Sequence, residues 1–516
     1  MDSTAPEEDA RDAKRARLRT PSAGDLVDRI SGLDDDVLLR VLGLVDDARD
    51  AVRMGALSRR WLRLWTRVPV LRFASPPVSW AASGDEQRAA LERYVSFVND
   101  VLARRIQSDC AIECLEISCT TTTGSARNLE QHLMPAFVDG AQEWIRYAFQ
   151  HGVKSLVVNQ GVPPKQRGFT SQHDGVKSFV MLVPLQRDAN EDHSDNDDEK
   201  PLVIIDELTS PERLETMHLA LGSARLQLPT TMKFASLMDL SLERIKIAPG
   251  GAHLLACLVS SMSCPRLQKL RMSKLRLPSA FLGEMKLDAD VLLELWIEDV
   301  NMRSLELRTP SLRVLHIDIC CREMLRVSAP RLEELTFFQL GPPPLRLEVD
   351  GELAHIPSLK LFLRAHRPSG SGETENDTNI LLLKHCSSVT CLAVTLEDDF
   401  SLQFVALNLR MSILQSYHLR AELDLKCDHS DYWTSHEISM AHLQEVELTG
   451  LTGSDCELWF MKAVLTSAKR LRKVAISFNR NCRHTNKMDT FERMLLDEGM
   501  WTSHRDKFML NTCMNL

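Results

Sequence analysis

No apolar run in this chain approaches the ~20 residues that a membrane-spanning helix requires, so a helical membrane span is not expected. An apolar leader is also missing: the first residues, MDSTAPEEDARD, are acidic and polar, which argues against a secretory signal peptide. Positive charge is in deficit, with 62 Lys and Arg against 71 Asp and Glu and a net charge of −9 over 516 residues. General binding to nucleic acid or to an anionic membrane needs clustered Lys and Arg, so neither partner is expected. The chain has no Gly-x-x-x-x-Gly-Lys-Ser/Thr loop, no Gly-x-Ser-x-Gly and no His-Glu-x-x-His. The commonest signatures of nucleotide binding, serine hydrolysis and zinc proteolysis are therefore missing.

Cysteine is not scarce, yet its 13 residues include no Cys-x-x-Cys pair. An odd number scattered through apolar segments fits reduced, mostly buried thiols in a protein of the nucleus or cytoplasm. Cys110 and Cys114 have no second ligand pair nearby, and Cys482-Arg483-His484 lacks two further ligands, so no metal site is expected. His429, Asp431 and His436, around Tyr432-Trp433, read as loop or strand-edge residues rather than a catalytic set, and Asp398-Asp399 reads as a solvated strand end. No catalytic residue and no cofactor are expected. What is present is 44% hydrophobic and 26% charged residues, the balance of a globular protein with room for more than one module.

The rest is organised around DRISGLDDDVLLRVLGLVDDARDAVRMGALSRRWLRLW, residues 28–65, which reads as three short helices. The first covers about 35–45, with Leu38, Val41, Leu42 and Val45 on one face. Asp34 or Asp35 can cap it, and both favour the positive end of the helix dipole. The second starts near Asp47 and carries Ala48, Ala51 and Val52. The third opens at Ser58, shows Leu57, Trp61, Leu64 and Trp65 on its apolar side, and stops at Pro69. Helices this short are unstable alone, and about 40 residues bury too little surface for an independent core. Periodicity alone leaves a small helical cap on a larger domain as an open reading.

The wording of this stretch goes further. Asp28-Arg29-Ile30-Ser31, Leu33, Asp35-Asp36-Val37-Leu38, Leu42, Arg49-Asp50-Ala51-Val52-Arg53 and Leu57-Ser58-Arg59-Arg60-Trp61, followed by Leu64-Trp65, resemble the F-box. That motif docks on the Skp-type adaptor of SCF ubiquitin ligases. The resemblance implies adaptor-binding positions at Ile30, Leu33, Asp34, Val37, Leu38 and Val41, and at Leu42, Val52, Leu57, Trp61, Leu64 and Trp65. Trp61 is expected to anchor the small core. Where the family usually has Leu-Pro before the first helix, this chain has Leu33-Asp34.

Residues 1–24 read as a disordered, charged tail. Its cluster Lys14-Arg15-Ala16-Arg17-Leu18-Arg19 is either an import signal or simply solvated. After the 25–73 segment comes a long amphipathic helix over 85–106, with Leu91, Tyr94, Val95, Val98, Val101, Leu102 and Ile106 on one side. A strand at 112–117, a helix at about 136–150 closed by Gly152, and a strand at 153–158 follow. From about Leu202 a Leu-x-x-Leu-x-Leu pattern repeats, as Leu214/Met217/Leu219, Leu237/Leu240/Leu242 and Leu267/Leu270/Met272. It continues as Leu292/Leu295/Ile297, Leu312/Leu315/Ile317 and Leu332/Leu335/Phe337. The middle positions are 23, 30, 25, 20 and 20 residues apart, near the leucine-rich-repeat period of about 20–29 residues. Ser210-Pro211, Cys264-Pro265, Thr309-Pro310 and Ala329-Pro330 punctuate the units. Weaker units lie near Leu359, Leu392, Leu423, Val446 and Val474. One such unit cannot bury its own apolar face, but a stack can, so an α/β solenoid with a curved parallel sheet is expected over 74–440. Alternate strand residues, such as Val314 and His316, should face outward. Acidic insertions at 187–200 and 368–379 should be surface loops.

At the end of the chain, a strand at 443–448, a turn at Gly450 and Gly453, a helix at 456–468 and a strand at 471–476 make a βαβ cap over 441–480. A tail or helix at 481–516 follows. Leu443, Val446, Leu448, Gly450, Gly453, Glu457 and Leu458, with Lys462, Leu465, Ala468, Leu471 and Val474, resemble the FBD region of plant F-box proteins with leucine-rich repeats. Phe97–Leu102 and the Trp144-Ile145 helix leading to Gly152-Val153 look like the same family. The resemblance implies a non-catalytic substrate receptor of an SCF-type ubiquitin ligase. Its partners would be a Skp-type adaptor, through it a cullin, and a protein substrate held by the repeats. A scaffold that binds the adaptor without directing ubiquitination, or a ligand-sensing repeat protein, are the alternatives.

Overall fold

A computed structural model describes residues 32–56, 59–75, 83–108, 110–119, 127–160, 201–205, 211–278, 284–300, 302–318, 321–338, 346–349, 356–364, 382–383, 386, 388–397, 440–451, 455–478 and 508–510. It opens with three short helices, α1 (Asp35–Gly43), α2 (Ala48–Met54) and α3 (Arg59–Leu64), the last tightening into a 3-10 turn at Trp65–Arg67. Strand β1 (Val70–Ala74) follows directly, then α4 (Gly84–Ile106), β2 (Cys114–Cys119), α5 (Arg127–Gln150) and β3 (Ser155–Gln160). Strands then come in short alternating pieces. They are β4 (Leu202–Ile204), β5 (Thr216–Ala220), β6 (Arg225–Gln227), β7 (Asp239–Glu243) and β8 (Lys246–Ile247). After α6 (Gly251–Leu258) come β9 (Lys269–Ser273), β10 (Glu284–Asp288), β11 (Glu294–Glu298), β12 (Met302–Arg308) and β13 (Val314–Asp318). The series continues with β14 (Cys321–Ser328), β15 (Glu334–Phe338), β16 (Arg346–Val349), β17 (Ser358–Arg364) and β18 (Cys391–Glu397). It ends with β19 (Glu445–Leu451), α7 (Asp455–Ser467), β20 (Lys473–Phe478) and β21 (Phe508–Leu510).

Fourteen of these strands form one sheet in the order β1-β2-β3-β5-β7-β9-β11-β13-β15-β17-β18-β19-β20-β21. Every pairing is parallel. Parallel neighbours need a crossover, and the crossovers form a second layer behind the sheet. That layer is helical at first (α4, α5), becomes the three-stranded sheet β4-β6-β8, then α6, then the four-stranded sheet β10-β12-β14-β16. The fold is α/β, a solenoid-like succession of parallel strands.

The six leucine-rich triplets read from the sequence are all inward, none more than 4% exposed. Their middle members lie in strict register, Met217 beside Leu240, Leu270, Leu295, Leu315 and Leu335. Leu359, Leu392, Val446 and Val474 extend the row downstream, and Leu71, Leu115 and Leu156 extend it upstream. A buried row of this kind holds register because a one-residue slip would turn every inward side chain to water.

Several expectations need correction. The leucine pattern is recognisable only from about residue 202, yet the sheet starts at β1, slightly before the expected 74, because the 23-residue α4 and 24-residue α5 crossovers stretch the early units beyond a recognisable period. The expected break after residue 73 falls inside β1, which is already the first strand of the long sheet. Helix α5 begins at Arg127 rather than near 136 and continues through Pro135. Ile106, placed on the buried side of α4, is exposed at the last turn. The long sheet runs one strand past the βαβ unit of β19, α7 and β20, since β21 pairs with β20 in the stretch read as a tail or helix.

The α4–α5 pair is held where Trp144 Nε1 donates to Asn99 Oδ1 at 2.8 Å. Gly140 permits that approach, since a Cβ there would meet the Trp144 ring at 2.8 Å and Val95 at 3.0 Å. Turns after successive strands use positive φ at Ser223, Arg244, Lys274 and Asp299. The amides of Arg244, Lys274 and Asp299 then donate to Ser273, Glu298 and Asp318 carbonyls, carrying the ladder one residue past each strand. The tail with its basic cluster, the acidic stretches 187–200 and 368–379, Leu423, Asp398-Asp399, His429, Asp431, His436 and Cys482–His484 lie outside the described residues.

Candidate interaction site

Helix α1 is apolar over an arc wider than its own fold covers. Leu38 and Leu42 are 1% exposed and face the core with Leu64, Trp65, Ala48 and Ala51. One step around the helix, Val37, Val41 and Leu44 follow at i, i+4 and i+7 and are 43%, 43% and 81% exposed. Leu33 before the helix and Leu62 on α3 are exposed too. Among the described residues, nine large hydrophobics are exposed and five of them fall between residues 33 and 62. So much uncovered apolar surface in so short a span makes this segment the candidate interaction site.

Each of the sequence-derived positions can now be placed. Leu38, Leu42, Leu64 and Trp65 form the core of the segment, whereas Leu33, Asp34, Val37 and Val41 lie on its surface. Val52 and Trp61 are half-buried and packed against the core. Ile30 and Leu57 lie outside the described residues. Two expectations change. Val41 does not share the buried face of Leu38 and Leu42, and the anchor is Trp65 rather than Trp61. The 3-10 turn at Trp65–Arg67 carries Trp65 beneath the helices to 3% exposure. Gly55 accommodates it, since a Cβ there would lie 3.1 Å from Trp65 Cδ1 and 2.9 Å from Val52 O.

Polar contacts fix the three helices without covering the apolar patch. Arg60 Nε donates to Asp35 Oδ1 at 2.8 Å, and Arg60 also donates to the Leu33 carbonyl. Asp34 occupies the N-cap with φ −65°, but its side chain makes no capping bond. Asp47 caps α2 by accepting from Arg49 N at 2.8 Å, and burial pushes its carboxyl above the usual range despite that bond. Arg72 donates to Gly43 O at 3.1 Å, and Ser108 Oγ donates to Thr66 O at 3.1 Å, tying the helices to β1 and to the end of α4. The Tyr94 hydroxyl reaches the Phe73 and Ser118 carbonyls at 3.0 and 3.1 Å, and burial raises its pKa well above the ordinary phenol value.

The second candidate surface is the outward side of the long sheet. Arg271, Trp296 and His316 are adjacent in register on β9, β11 and β13. The Trp296 and His316 rings stack with centroids 4.6 Å apart at 18°, and Arg271 lies 5.2 Å above the Trp296 ring. His316, expected to be exposed, is half-buried because its neighbours across the strands cover it. Burial, with Lys360 and Arg271 adding and Glu334 opposing, pushes its pKa down to about 4. Ion pairs bridge neighbouring strands at Lys269–Glu294 (2.9 Å), Lys360–Glu334 (2.5 Å) and Lys473–Glu445 (3.5 Å). The stack was not legible in the sequence, because Arg271, Trp296 and His316 are 25 and 20 residues apart and meet only through register.

Cys110, Cys114, Cys119, Cys257, Cys264, Cys321, Cys386 and Cys391 are not in disulfides, and burial pushes the thiols of Cys264 and Cys386 up to about 12 and of Cys119 to about 11. Among the described residues no cluster of three His, Cys, Asp or Glu could hold a metal. No described helix is long and apolar enough to cross a membrane.

These features define a class: an α/β repeat protein with a partly uncovered helical segment at the start of its sheet. No family model matches the chain. It is similar to an FBD-associated F-box protein of Arabidopsis thaliana, 53% identical over 47 residues, 9% of this chain and 12% of that protein. A second protein of that name and plant is 31% identical over 135 residues, 26% of this chain and 28% of its own length. An F-box/LRR-repeat protein of the same plant is 28% identical over 131 residues, 25% of this chain and 24% of its own. The resemblance to plant F-box, leucine-rich-repeat and FBD proteins is thus found. The matches span 12 to 28% of these relatives' length.

Proposed function

We propose that this protein is the substrate-recognition subunit of an SCF-type ubiquitin ligase in the nucleus or cytoplasm. The three-helix segment acts as an F-box that docks on a Skp-type adaptor and, through it, a cullin. The β19–α7–β20 unit is FBD-like, and the outward face of the long sheet holds a protein substrate. The protein itself transfers nothing; its contribution is proximity, which raises the effective concentration of a target lysine near the charged conjugating enzyme. The observation that carries the reading is the exposed stripe Val37, Val41 and Leu44 on a helix whose wording resembles the F-box.

The test is direct binding of the full chain to a purified Skp-type adaptor. Val41→Asp and Leu44→Asp place charge on exposed positions, so they should abolish binding while leaving the thermal melt unchanged. Undiminished binding by both variants would overturn adaptor docking through this stripe. In cells, recovery of adaptor, cullin and a client that accumulates under proteasome inhibition supports the receptor role. Recovery of adaptor without cullin or such a client identifies a scaffold instead.

A further inference from the structure

The back layer passes from strands to helix and back to strands around α6. Helix α6 follows the three-stranded sheet, and the four-stranded sheet then starts at β10, which among the described residues pairs only with β12. The Ala289 amide donates to the Arg308 carbonyl at 3.2 Å, so odd-numbered main-chain groups turn toward β12 and even-numbered groups turn away. The Asp288 carbonyl obeys the same parity: it accepts from Ser261 N–H at 3.1 Å, in the segment after α6. Two residues earlier, the N–H and C=O of Lys286 turn to the same open side, and no backbone partner meets them among the described residues. A groove of about 740 Å³ separates this edge from α6.

An unpaired strand edge is a template for another strand, and peptides are captured this way by β-augmentation. Ser261 closes only the Asp288 end of the edge. Along the rest, Glu284, Lys286 and Asp288 are exposed while Met285 and Leu287 are buried. The groove wall is largely apolar, and its acidic groups are Glu284, Asp288 and Asp290. The one lysine on this strand, Lys286, has its ammonium 3.4 Å from Glu306. On the α6 side, Ala256 and Met262 supply apolar surface, with Met262 85% exposed.

The geometry points to the free edge of β10 as a docking site for an extended peptide in which Lys or Arg alternates with small apolar residues. Side chains of an added strand alternate between faces. Its basic residues share the face of Glu284 and Asp288, where opposite charges on neighbouring strands attract, and its apolar residues turn inward. The main chain of Lys286 supplies the hydrogen bonds. This site is separate from the α1 stripe and does not depend on adaptor docking.

The experiment uses the full chain and a fluorescent peptide of alternating Lys and Val, with a Glu–Val peptide as the charge control. Lys286→Pro removes the edge N–H without touching the β12 ladder, and proline is tolerated on such an edge; Lys286→Ala keeps that N–H. Salt-sensitive binding is expected, about tenfold weaker for Lys286→Pro than for Lys286→Ala, as for one lost main-chain hydrogen bond. Hydrogen exchange of the wild-type Lys286 amide should slow when the Lys–Val peptide binds, a readout that does not depend on the proline variant folding. Equal affinity of the two variants, equal binding of the Glu–Val peptide, or an amide that exchanges at the same rate with peptide bound would each overturn the proposal.

Discussion

The helical segment and the long sheet treat apolar side chains in opposite ways. In the sheet, alternation sends every second residue inward, and neighbouring strands on both sides complete the burial; the row from Leu71 to Val474 is closed. In the helices, α1 carries two adjacent apolar stripes, and intramolecular packing covers only the one with Leu38 and Leu42. Repetition lets a surface satisfy itself with its own next copy. The helical segment has no next copy, so the stripe of Val37, Val41 and Leu44 stays exposed.

Substitutions can break or sharpen this contrast. The largest effect is expected at Leu315, fully buried between Leu295 and Leu335. Leu315→Asp would bury an unpaired carboxylate as well as lose packing, costing several kcal/mol, about 4 or more, and a thermal melt should show gross loss of the folded transition. A melt like that of wild type would mean the inward register is wrong.

Trp65→Ala should come next, at about 3–5 kcal/mol for a buried tryptophan. It should cost clearly more than Trp61→Ala, because Trp61 is only half-buried. Adaptor affinity should fall with Trp65→Ala through loss of the segment's fold, visible as parallel losses of binding and helical circular dichroism.

A third, intermediate effect belongs to His316. Removing the ring loses the stack on Trp296, an arrangement worth about 0.5–1.5 kcal/mol beyond burial, so His316→Ala should not behave as a neutral surface change. The pH dependence has a definite sign. The folded pKa is about 4 against an ordinary value of 6.5, so the unfolded chain binds the proton more readily between those values. This contribution to stability is full above pH 6.5 and is lost as pH falls toward 4. Chemical denaturation of wild type and His316→Phe across that range should show a steeper loss for wild type; identical slopes would contradict the buried, neutral histidine.

The smaller effects lie on the helical surface. Arg60→Ala breaks a partly exposed pair with Asp35, 2.7 Å apart, and should cost less than about 1 kcal/mol. Asp34→Pro should be neutral or slightly stabilising, by up to about 1 kcal/mol. Its φ is already −65° and its side chain caps nothing, so proline loses no interaction there. Titration with adaptor should show affinity equal to or tighter than wild type, with the sheet's melting transition unmoved.

Much of the sheet was legible in the sequence. Leu312, Leu315 and Ile317 sit at the spacing that a strand and its preceding turn impose, and each returns within one or two dozen residues, so local pattern and local structure coincide. The helices around 35–67 were legible for the same reason, from caps and periodicity. Which side of α1 would be buried was not, since Leu38, Val41, Leu42 and Val45 satisfy helical spacing equally well in either orientation. That choice was made by Trp65, brought under the helix by a turn some two dozen residues downstream.

The amino-acid order by itself therefore determined the inward residues of the six leucine-rich units, because a side-chain period of two and a buried row allow only one answer. Tertiary structure alone decided the remainder: that β1–β3 join the repeating sheet across long helices, that Arg271, Trp296 and His316 meet, and that β10 keeps an open edge beside α6. These features arise between residues distant in the chain. They depend on how crossovers of unequal length pack behind the sheet, and no local pattern carries that information.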